Sequence, residues 1–315
     1  MSRPCVALVT DPTSPEGCGD VLAEAVQQLT GRPPVRIDSR HFATGGTGRG
    51  IRSGDGERLR LVVPGHRIDV EPDVVVLYEI PPHRRHTLAA FQRALHRHDV
   101  VTLGTGTTAW RTATEKNLTV ERFQRDGIAH METSVLSRPS SQEAAAAFGK
   151  LGGDVWARPV IGTGGYDTFH VTDLDRLEYV SGFYAERGTD WMLSRDAGNI
   201  TADGMRHQFR VFVLHGEVVH AREHLQPEPD QPCNTSQGAT AVFIEPADLD
   251  PRLTDLAVAA TTSIGLPFAG VDLAIEHGGV VFEVNVQPAF IPGELPKAAV
   301  PYIEAHLSAL DARRA

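Results

Sequence analysis

The sequence predicts an α/β (α+β) protein in which a parallel α/β domain is followed by antiparallel sheets. Over residues 1–104, short apolar segments alternate with helical patterns, an order typical of parallel α/β domains. Further along, two pairs of segments carry apolar residues at every second position, and a short turn with glycine joins each pair, as in antiparallel hairpins. We expect three domains, over residues 1–104, 105–190 and 191–315.

Composition and charge exclude several classes of protein. Of the 315 residues, 41% are hydrophobic and 22% are charged, which is typical of a globular protein. A net charge of −10 argues against nucleic acid as the main partner. No apolar run approaches the length of about 18 residues needed to span a membrane, and the start lacks the apolar core of a signal peptide, so we expect a cytoplasmic protein without a membrane partner. The three cysteines are too few and too scattered for a disulfide framework or a zinc site.

The first third of the chain shows strands and helices in alternation. The predicted strands are "PCVALVTDP", "VRIDSRHF", "DVVVLYEI" and "DVVTLG"; the predicted helices are "GCGDVLAEAVQQLTG" and "LAAFQRALHRH", with a flexible glycine-rich loop over residues 43–58. Tyr78 and Glu79 stand at the end of "DVVVLYEI". Because ligands bind off the carboxyl ends of parallel strands, we expect these two side chains to contact a substrate.

The rest of the chain opens with helices and closes with hairpins. The predicted helices are residues 115–126, "QEAAAAFGKLGG", "RLTDLAVAATTSIG" and the C-terminal "KAAVPYIEAHLSALDARRA". The strand "VWARPVI" leads into "GTGGYDTFHV", and "HQFRVFVLHGEVVHARE" is a predicted hairpin that turns at His215-Gly216. We interpret His215, His220 and His224, which lie in or near this hairpin, as structural or solvated.

The hairpin "FAGVDLAIEHGGVVFEVNVQP" carries polar side chains where a buried sheet needs none. Alternation places Asp272, Glu283 and Asn285 on one face, with Asp272 opposite Glu283 or opposite Asn285 according to the turn. Two carboxylates and an amide oxygen, converging with no basic residue nearby, are hard ligands suited to Mg²⁺, or to Mn²⁺ in its place. The alternative is the solvated face of an ordinary amphipathic hairpin.

Two further segments favour an anionic ligand. In "ARPVIGTGG", the residues Gly162, Gly164 and Gly165 let backbone N–H groups approach phosphate oxygens, although a plain hairpin turn gives the same pattern. Arg210 lies between apolar neighbours on a strand, where an unpaired guanidinium is costly. It therefore needs either a carboxylate of the protein or a ligand phosphate.

Taken in order, these segments resemble the ATP-grasp enzymes, in particular the ribosomal-protein glutamate-ligase and glutathione-synthetase-like branch. The resemblance covers roughly residues 100 to 295 and rests on "TEKNLTVERFQRDGIAHMET", "ARPVIGTGG", "RVFVLHGEVVHA", "NTSQGA" and "GVDLAIEHGGVVFEVNVQP". It implies an ATP-grasp fold, with an N-terminal substrate domain, a central lid domain and a C-terminal metal and nucleotide domain.

The resemblance also implies roles for particular residues. Asp272, Glu283 and Asn285 would hold Mg²⁺ against the phosphates of ATP. Lys116 and Arg158 would contact the nucleotide, and Arg158 stands where the family usually has lysine. The loop that contains Gly162, Gly164 and Gly165, here called the glycine loop, would close over the phosphates. Stabilisation of the transferring phosphoryl group would fall to Arg210, Arg222 and Asn234.

One departure from the family concerns the segment "TDWMLSRDAGN". Met192 or Leu193 stands where we expect the glutamate that binds adenine, so backbone groups of these two residues would read the adenine edge instead.

The implied activity is ligation of a small-molecule carboxylate to an amine, such as an amino acid or a short peptide, through an acyl-phosphate. A kinase, an ATP-driven cyclase and a nucleotide-binding protein without turnover remain as alternatives, and the sequence leaves a homodimer open.

Overall fold

The computed structural model describes residues 3–14, 16–52, 58–98 and 100–315. The chain forms two compact units, Met1–Arg111 with Val286–Ala315, and Thr112–Asn285. The strands β1 to β15 have these bounds: Val6–Thr10, Val35–Asp38, Arg49–Arg52, Leu59–Val63, Ile68–Val70, Val74–Leu77, Thr133–Leu136, Val155–Pro159, Phe169–Val171, Trp191–Arg195, Arg206–Leu214, Glu217–Gln226, Thr240–Ile244, Phe268–Ala274 and Val280–Asn285.

The six predicted helices are present, and the described residues form three more α-helices that were not predicted, over Pro82–Arg85, Thr107–Thr114 and Leu174–Arg187. The helices α1 to α9 have these bounds: Cys18–Thr30, Pro82–Arg85, Ala89–Arg97, Thr107–Thr114, Lys116–Asp126, Ser141–Lys150, Leu174–Arg187, Pro251–Ile264 and Val300–Arg314. A glycine in the left-handed region ends α1, α5, α7 and α8, as the sequence signals of a helix end require. Among the described residues, no helix combines the length and the apolar composition needed to cross a membrane.

The first unit contains a parallel sheet in the order β2-β1-β6. Nearly every residue of β1 and β6 is buried, because strands of a parallel sheet are usually covered on both faces. A second sheet, antiparallel and in the order β3-β4-β5, includes residues 49–52 of the predicted glycine-rich loop, while residues 53–57 lie outside the described residues. The predicted strand over 99–104 is wrong: in its described part, Val101 makes a single bridge to Val74.

The chain returns to the first unit after β15. Gln287 accepts a hydrogen bond from Ile80 N over 2.8 Å and donates one to Leu77 O over 3.1 Å, so it fastens the end of β6. Helix α9 then packs against α1 and β6. Residues 286–315 therefore pack with the first unit, and the three-domain division stays a prediction.

The second unit holds two antiparallel sheets. One has the order β7-β10-β8-β9, and side chains from α6 and α7 share its hydrophobic core. The other has the order β13-β12-β11-β14-β15 and packs against α8. The predicted turn between β11 and β12 is confirmed, with His215 at φ 51° and Gly216 at φ 83°, because both central residues of a tight hairpin turn need positive φ.

Register sorts the side chains of the five-stranded sheet onto two faces. Arg210 lies directly opposite both Arg222 and Asp272, so these three side chains share one face. Val211 lies opposite Ala221 and Val271, which form the apolar face. The polar face of this sheet positions the candidate site.

Candidate functional site

The β14–β15 hairpin places Asp272 opposite Glu283, one of the two registers that the sequence allowed. The connection runs over residues 275–279, and a β-bulge at Phe282 restores the pairing. The third predicted ligand lies beside the first, because Asn285 Nδ2 donates to Asp272 Oδ2 over 3.1 Å. Local alternation therefore brings the two carboxylates and the amide together.

Basic side chains stand next to both carboxylates, which corrects the expectation that none is nearby. Arg210 makes a two-pronged contact with Asp272, with Nε 2.6 Å from Oδ1 and Nη2 2.7 Å from Oδ2. Lys116, at the start of α5, places Nζ 3.1 Å from Glu283 Oε1. Asp272 and Arg210 are buried, with 4% and 8% of their surface exposed, so this pair is largely removed from water.

The donor set fits a hard divalent cation. Arg210 and Asn285 together donate three bonds to Asp272, whereas an ionised carboxylate has about four lone-pair sites. The amide nitrogen of Asn285 makes the bond to Asp272, so its oxygen is the atom that can ligate. Glu283 is partly exposed and can exchange its contact with Lys116 for a cation. Oxygen ligands of this kind suit Mg²⁺ or Mn²⁺.

Arg158 in β8 approaches the same hairpin. Its Nη2 donates to Phe282 O over 2.9 Å, which the bulge makes accessible by taking Phe282 out of regular pairing. Burial lowers the pKa of Arg158, and the charges of Glu283 and Asp272 oppose that shift. Arg158 Nε is buried without a hydrogen-bond partner among the described residues. A buried donor left in this way is costly, which favours an additional acceptor at this place.

A narrow cavity with room for about one water molecule adjoins these charges. Its polar lining comes from Lys116, Arg158 and Glu283, and its apolar lining includes Val120 and Phe123 from α5. We call Lys116, Arg158, Arg210, Asp272 and Glu283 the charged cluster, and the cavity lies between this cluster and the apolar side chains of α5.

The glycine loop lies against the turn that carries Asn234. Gly164 O accepts hydrogen bonds from Ser236 Oγ over 2.7 Å and from Gln237 Nε2 over 3.2 Å. Lys116 Nζ donates to Gly162 O over 3.1 Å. The loop is thus held between the turn on one side and the lysine of the charged cluster on the other.

Gly165 is a position in this loop that admits no side chain. Its φ of 72° disfavours other residues, and a Cβ atom there would stand 2.7 Å from Asn234 Oδ1 and 2.8 Å from Pro232 Cβ. We expect Gly165→Ala to lower the free energy of unfolding by about 2–4 kcal/mol, because left-handed strain and overpacking add. Urea unfolding measures this change.

Gly182, within α7, provides the matched control. A Cβ atom at Gly182 meets nothing within 4 Å, so Gly182→Ala should raise stability by about 0.5–1 kcal/mol. Equal effects of the two substitutions would contradict the close approach of the loop to the Asn234 turn.

Arg222 lies directly opposite Arg210, and 1% of its surface is exposed. Its guanidinium carbon is 5.4 Å from the centre of the Phe212 ring. Like charges placed directly opposite on neighbouring strands repel, so this pair favours an anion between or beside them. Asp272 supplies one negative charge to Arg210.

Met192 and Leu193 lie inside β10, which pairs with β7 on one side and β8 on the other. Both residues are fully buried, and the ladders on the two sides occupy their backbone groups. Leu193 belongs to the hydrophobic core, whereas Met192 lies opposite Arg158 and shares its face. This corrects the expectation that these backbone groups are free to read an adenine edge.

Tyr78 and Glu79 take part in the packing of the first unit, in contrast to the expected substrate contact. The Tyr78 hydroxyl donates to Pro288 O over 2.7 Å, and its ring stacks on Phe290. Glu79, at φ 57°, accepts bonds from Gly17 N and Gly19 N over 2.7 and 2.6 Å, where the helix dipole of α1 favours a negative charge.

Sequence reasoning missed the residues that support the Asn234 turn. Gln226 Nε2 donates to Pro232 O over 3.1 Å and to Gln237 O over 2.9 Å, so it holds both ends of the turn. The alternation of Arg222, His224 and Gln226 along β12 is a signal that could have placed them on one polar face.

His207 lies on the face of the sheet opposite Arg210, between two glutamates. Its Nδ1 is 2.7 Å from Glu223 Oε1, and its Nε2 is 3.1 Å from Glu276 Oε1. The hydrogen bond to Glu223 raises the pKa of His207 from 6.5, with a smaller contribution from Glu276 and against the effect of burial. The charged form of His207 therefore stabilises the folded state.

The change of this stabilisation with pH follows from the coupling between proton binding and folding. A raised native pKa contributes stability that is fully present below the unfolded value of 6.5 and is lost as pH rises through the native value. We expect the stability difference between the wild-type protein and His207→Gln to shrink as pH rises from about 6 to about 9. Urea unfolding across this range measures it, and a difference that grows with pH would contradict the assignment.

Known protein structures share the fold of this chain. The structure of the ATP-grasp ligase PsnB complexed with minimal precursor matches with a TM-score of 0.68 and 15% identity, covering 98% of this chain and 99% of that one. The crystal structure of D-cycloserine synthetase DcsG matches with a TM-score of 0.68 and 19% identity, covering 97% and 99%. The chain therefore has the ATP-grasp fold, as predicted.

The family follows from the sequence match. Residues 113–293, more than half of the chain, match the RimK-like ATP-grasp domain. The chain belongs to the RimK-like ATP-grasp family, whose members bind ATP and Mg²⁺.

A probable alpha-L-glutamate ligase of Thioalkalivibrio sulfidiphilus (strain HL-EbGR7) is 41% identical over 80 residues. The match covers 25% of this chain and spans about a quarter, 26%, of that relative.

Proposed function

We propose that the protein is an ATP-dependent carboxylate–amine ligase. The γ-phosphoryl group of ATP moves to a substrate carboxylate and forms an acyl-phosphate with release of ADP. An amine then attacks the acyl carbon, the C–O bond to phosphate breaks, and an amide, phosphate and a proton result. Mg²⁺, when bound, would draw negative charge from the phosphate oxygens during the transfer.

The single observation that carries this proposal is the convergence of three cationic side chains on two carboxylates. Within the second unit, Lys116 contacts Glu283 and Arg210 contacts Asp272, while Arg158 binds the backbone of the same hairpin, where the charges of both carboxylates act on it. Three positive and two negative charges leave a net charge of +1, which favours an anion. A divalent cation at the carboxylates and a polyphosphate at the cations would satisfy both halves of the cluster.

Each group in the cluster has a distinct part in the proposed reaction. Asp272, Glu283 and Asn285 would hold the metal. Lys116 and Arg158 would bind the nucleotide phosphates, with Gly162, Gly164 and Gly165 closing over them. Arg210 and Arg222, with Asn234 alongside, would stabilise charge on the transferring phosphoryl group, where preorganised donors have their largest effect. The lid formed by the glycine loop would exclude water from the acyl-phosphate.

The names of the relatives narrow the choice of substrates. The matched relative is named for L-glutamate, and one structural neighbour holds a precursor. We therefore propose an amino acid, with L-glutamate first, as one substrate and an amino acid or short peptide as the other. Because the proposed reaction consumes ATP, we also propose a cytoplasmic location, and a homodimer remains a prediction.

The test measures ADP release from Mg·ATP with amino acids and short peptides, offered singly and in pairs, and identifies products by mass. We expect release only with a pair, and a product lighter than the sum of the pair by one water molecule. Asp272→Asn should abolish this release.

The same assay separates the alternatives. Release with a single compound would overturn the ligase in favour of a kinase or a cyclase. Absence of release, with a melting temperature still raised by Mg·ATP, would leave either a substrate outside the panel or a nucleotide-binding protein without turnover.

A further inference from the structure

His224 lies on β12 two residues after Arg222, on the same face, and 1% of its surface is exposed. Arg222 Nε is 2.9 Å from His224 Nε2. Because the Nε–H group of arginine can only donate, His224 Nε2 must present its lone pair. The imidazole is therefore neutral and carries its proton on Nδ1.

The other ring nitrogen requires the same tautomer. His224 Nδ1 is 3.2 Å from Cys233 O, and a carbonyl oxygen can only accept, so Nδ1–H is the donor. The contact is returned by Cys233 Sγ, which donates to His224 O over 3.2 Å. Two independent neighbours thus fix one protonation state of a buried ring.

Through these two contacts, the His224 ring connects Arg222 with the turn that carries Asn234. The proposed function assigns both residues to the transferring phosphoryl group. Arg222 is on one side of the ring, and Cys233 immediately precedes Asn234 on the other. The Asn234 turn in turn holds the glycine loop through Ser236 and Gly164. A flexible arginine side chain needs such an acceptor to keep one orientation, because fixing its rotamers costs conformational entropy.

We infer that His224 is a positioning residue that, as the neutral Nδ1–H tautomer, orients Arg222 toward the transferring phosphoryl group and ties it to the Asn234 turn. This inference rests on the proposed function. It differs from a packing role, because packing requires the shape of the ring and positioning requires an acceptor at Nε2.

Two substitutions separate the two ring nitrogens. Glutamine at this position can place its carbonyl oxygen near Nε2 and so keep the acceptor for Arg222. Asparagine is shorter: it can place its amide near Nδ1, keeping the donor to Cys233 while losing the acceptor for Arg222. His224→Gln is therefore the conservative variant and His224→Asn the disruptive one.

Calorimetric titration with Mg·AMP-PNP and Mg·ADP gives a readout that needs no knowledge of the substrates. We expect His224→Asn to weaken Mg·AMP-PNP about tenfold or more, since a charge-assisted bond is lost, with Mg·ADP changed by less than about threefold. His224→Gln should keep both affinities within about threefold to fivefold of the wild-type values. Equal losses for both nucleotides that follow the melting temperature would overturn the inference in favour of packing.

A double-mutant cycle tests the route through Arg222. Arg222→Lys keeps the charge but has no Nε–H group, so His224→Asn should have no further effect on Mg·AMP-PNP in that background. Additive losses would overturn the inference. If His224→Asn does not fold, ¹⁵N chemical shifts of the wild-type imidazole decide instead: a ring protonated at Nε2, or at both nitrogens, overturns it.

Failure of the proposed function has a different signature. A wild-type protein that binds neither nucleotide would overturn the proposed function and this inference together. A wild-type protein that binds both, with unchanged affinities in both His224 variants, would overturn this inference alone.

Discussion

Replacing Glu283 by glutamine is expected to lower turnover by about 10²- to 10³-fold, equal to about 3–4 kcal/mol of barrier. Glutamine keeps the shape of the side chain and an oxygen that can accept from Lys116. What it removes is the negative charge that the site offers to a divalent cation. The measurement is the rate of ADP release at saturating substrates, as a function of Mg²⁺ concentration.

The contact between Lys116 and Glu283 predicts that Glu283→Gln changes the affinity for metal-free ATP and the effect of Mg²⁺ on that affinity in different ways. In the wild-type protein Lys116 Nζ is 3.1 Å from the Glu283 carboxylate, and replacing this ion pair by a neutral hydrogen bond holds the lysine less strongly, so that it can turn to the phosphates. We therefore expect Glu283→Gln to keep or raise its affinity for ATP without metal while its dependence on Mg²⁺ weakens. Calorimetric titration of ATP with and without Mg²⁺ separates the two effects.

Glu223 offers the matched control on the same sheet. It is a glutamate on β12 that pairs with His207 on the other face, away from the charged cluster. Glu223→Gln should leave turnover within a few-fold of the wild-type rate. Near-wild-type turnover in Glu283→Gln would overturn the metal assignment, and an equal loss in both variants would show that the effect is not specific to the cluster.

Features of the site that depend on neighbouring residues in one strand could be predicted from the sequence, whereas features that depend on packing between segments could not. Period-two alternation placed Asp272, Glu283 and Asn285 on one face, because side-chain direction in a strand is a local property. The five-residue connection and the bulge at Phe282 were not predictable from that alternation. They depend on how residues 275–279 and their neighbours pack.

The basic partners of the two carboxylates could not be predicted either, because they lie on other segments of the chain. Lys116 starts a helix far from Glu283 along the chain, and Arg210 lies on a strand that meets Asp272 only through the order of the sheet. Spacing gives no access to such pairs, so the sequence left Arg210 open between a carboxylate and a phosphate. The structure shows the carboxylate, and the phosphate belongs to the proposed function.

Failures in the prediction also have particular causes. The segment containing Met192 and Leu193 was expected to serve as a nucleotide-reading linker, whereas both residues lie in an inner strand of a four-stranded sheet. An apolar stretch of this length fits either role, and only pairing on both sides decides between them. The segment around Val101 is apolar enough for a strand, but in its described part it pairs with β6 through a single bridge, between Val101 and Val74.

The second large effect is expected at the buried pair of Arg210 and Asp272. Removing one partner of a buried ion pair leaves an uncompensated charge, so Asp272→Leu should lower the free energy of unfolding by about 3–5 kcal/mol. Arg222, directly opposite Arg210, adds to the cost because the two cations then face each other with less negative charge between them. Arg210→Met should be destabilising by a similar amount, since it leaves Asp272 buried without its two-pronged partner.

The double variant of Arg210 and Asp272 shows whether this ion pair contributes to the stability of the fold or to the reaction. Apolar side chains of similar size often replace a buried ion pair without loss of stability, so Arg210→Met with Asp272→Leu should recover most of what each single change loses. Recovery of stability should bring no recovery of ADP release, because the metal ligand and the cation facing the phosphoryl group are both gone. Urea unfolding and the ADP assay on all four proteins complete the cycle. A double variant as unstable as the sum of the single ones would show that the two side chains are not coupled, and one that still turns over ATP would remove both from the proposed reaction.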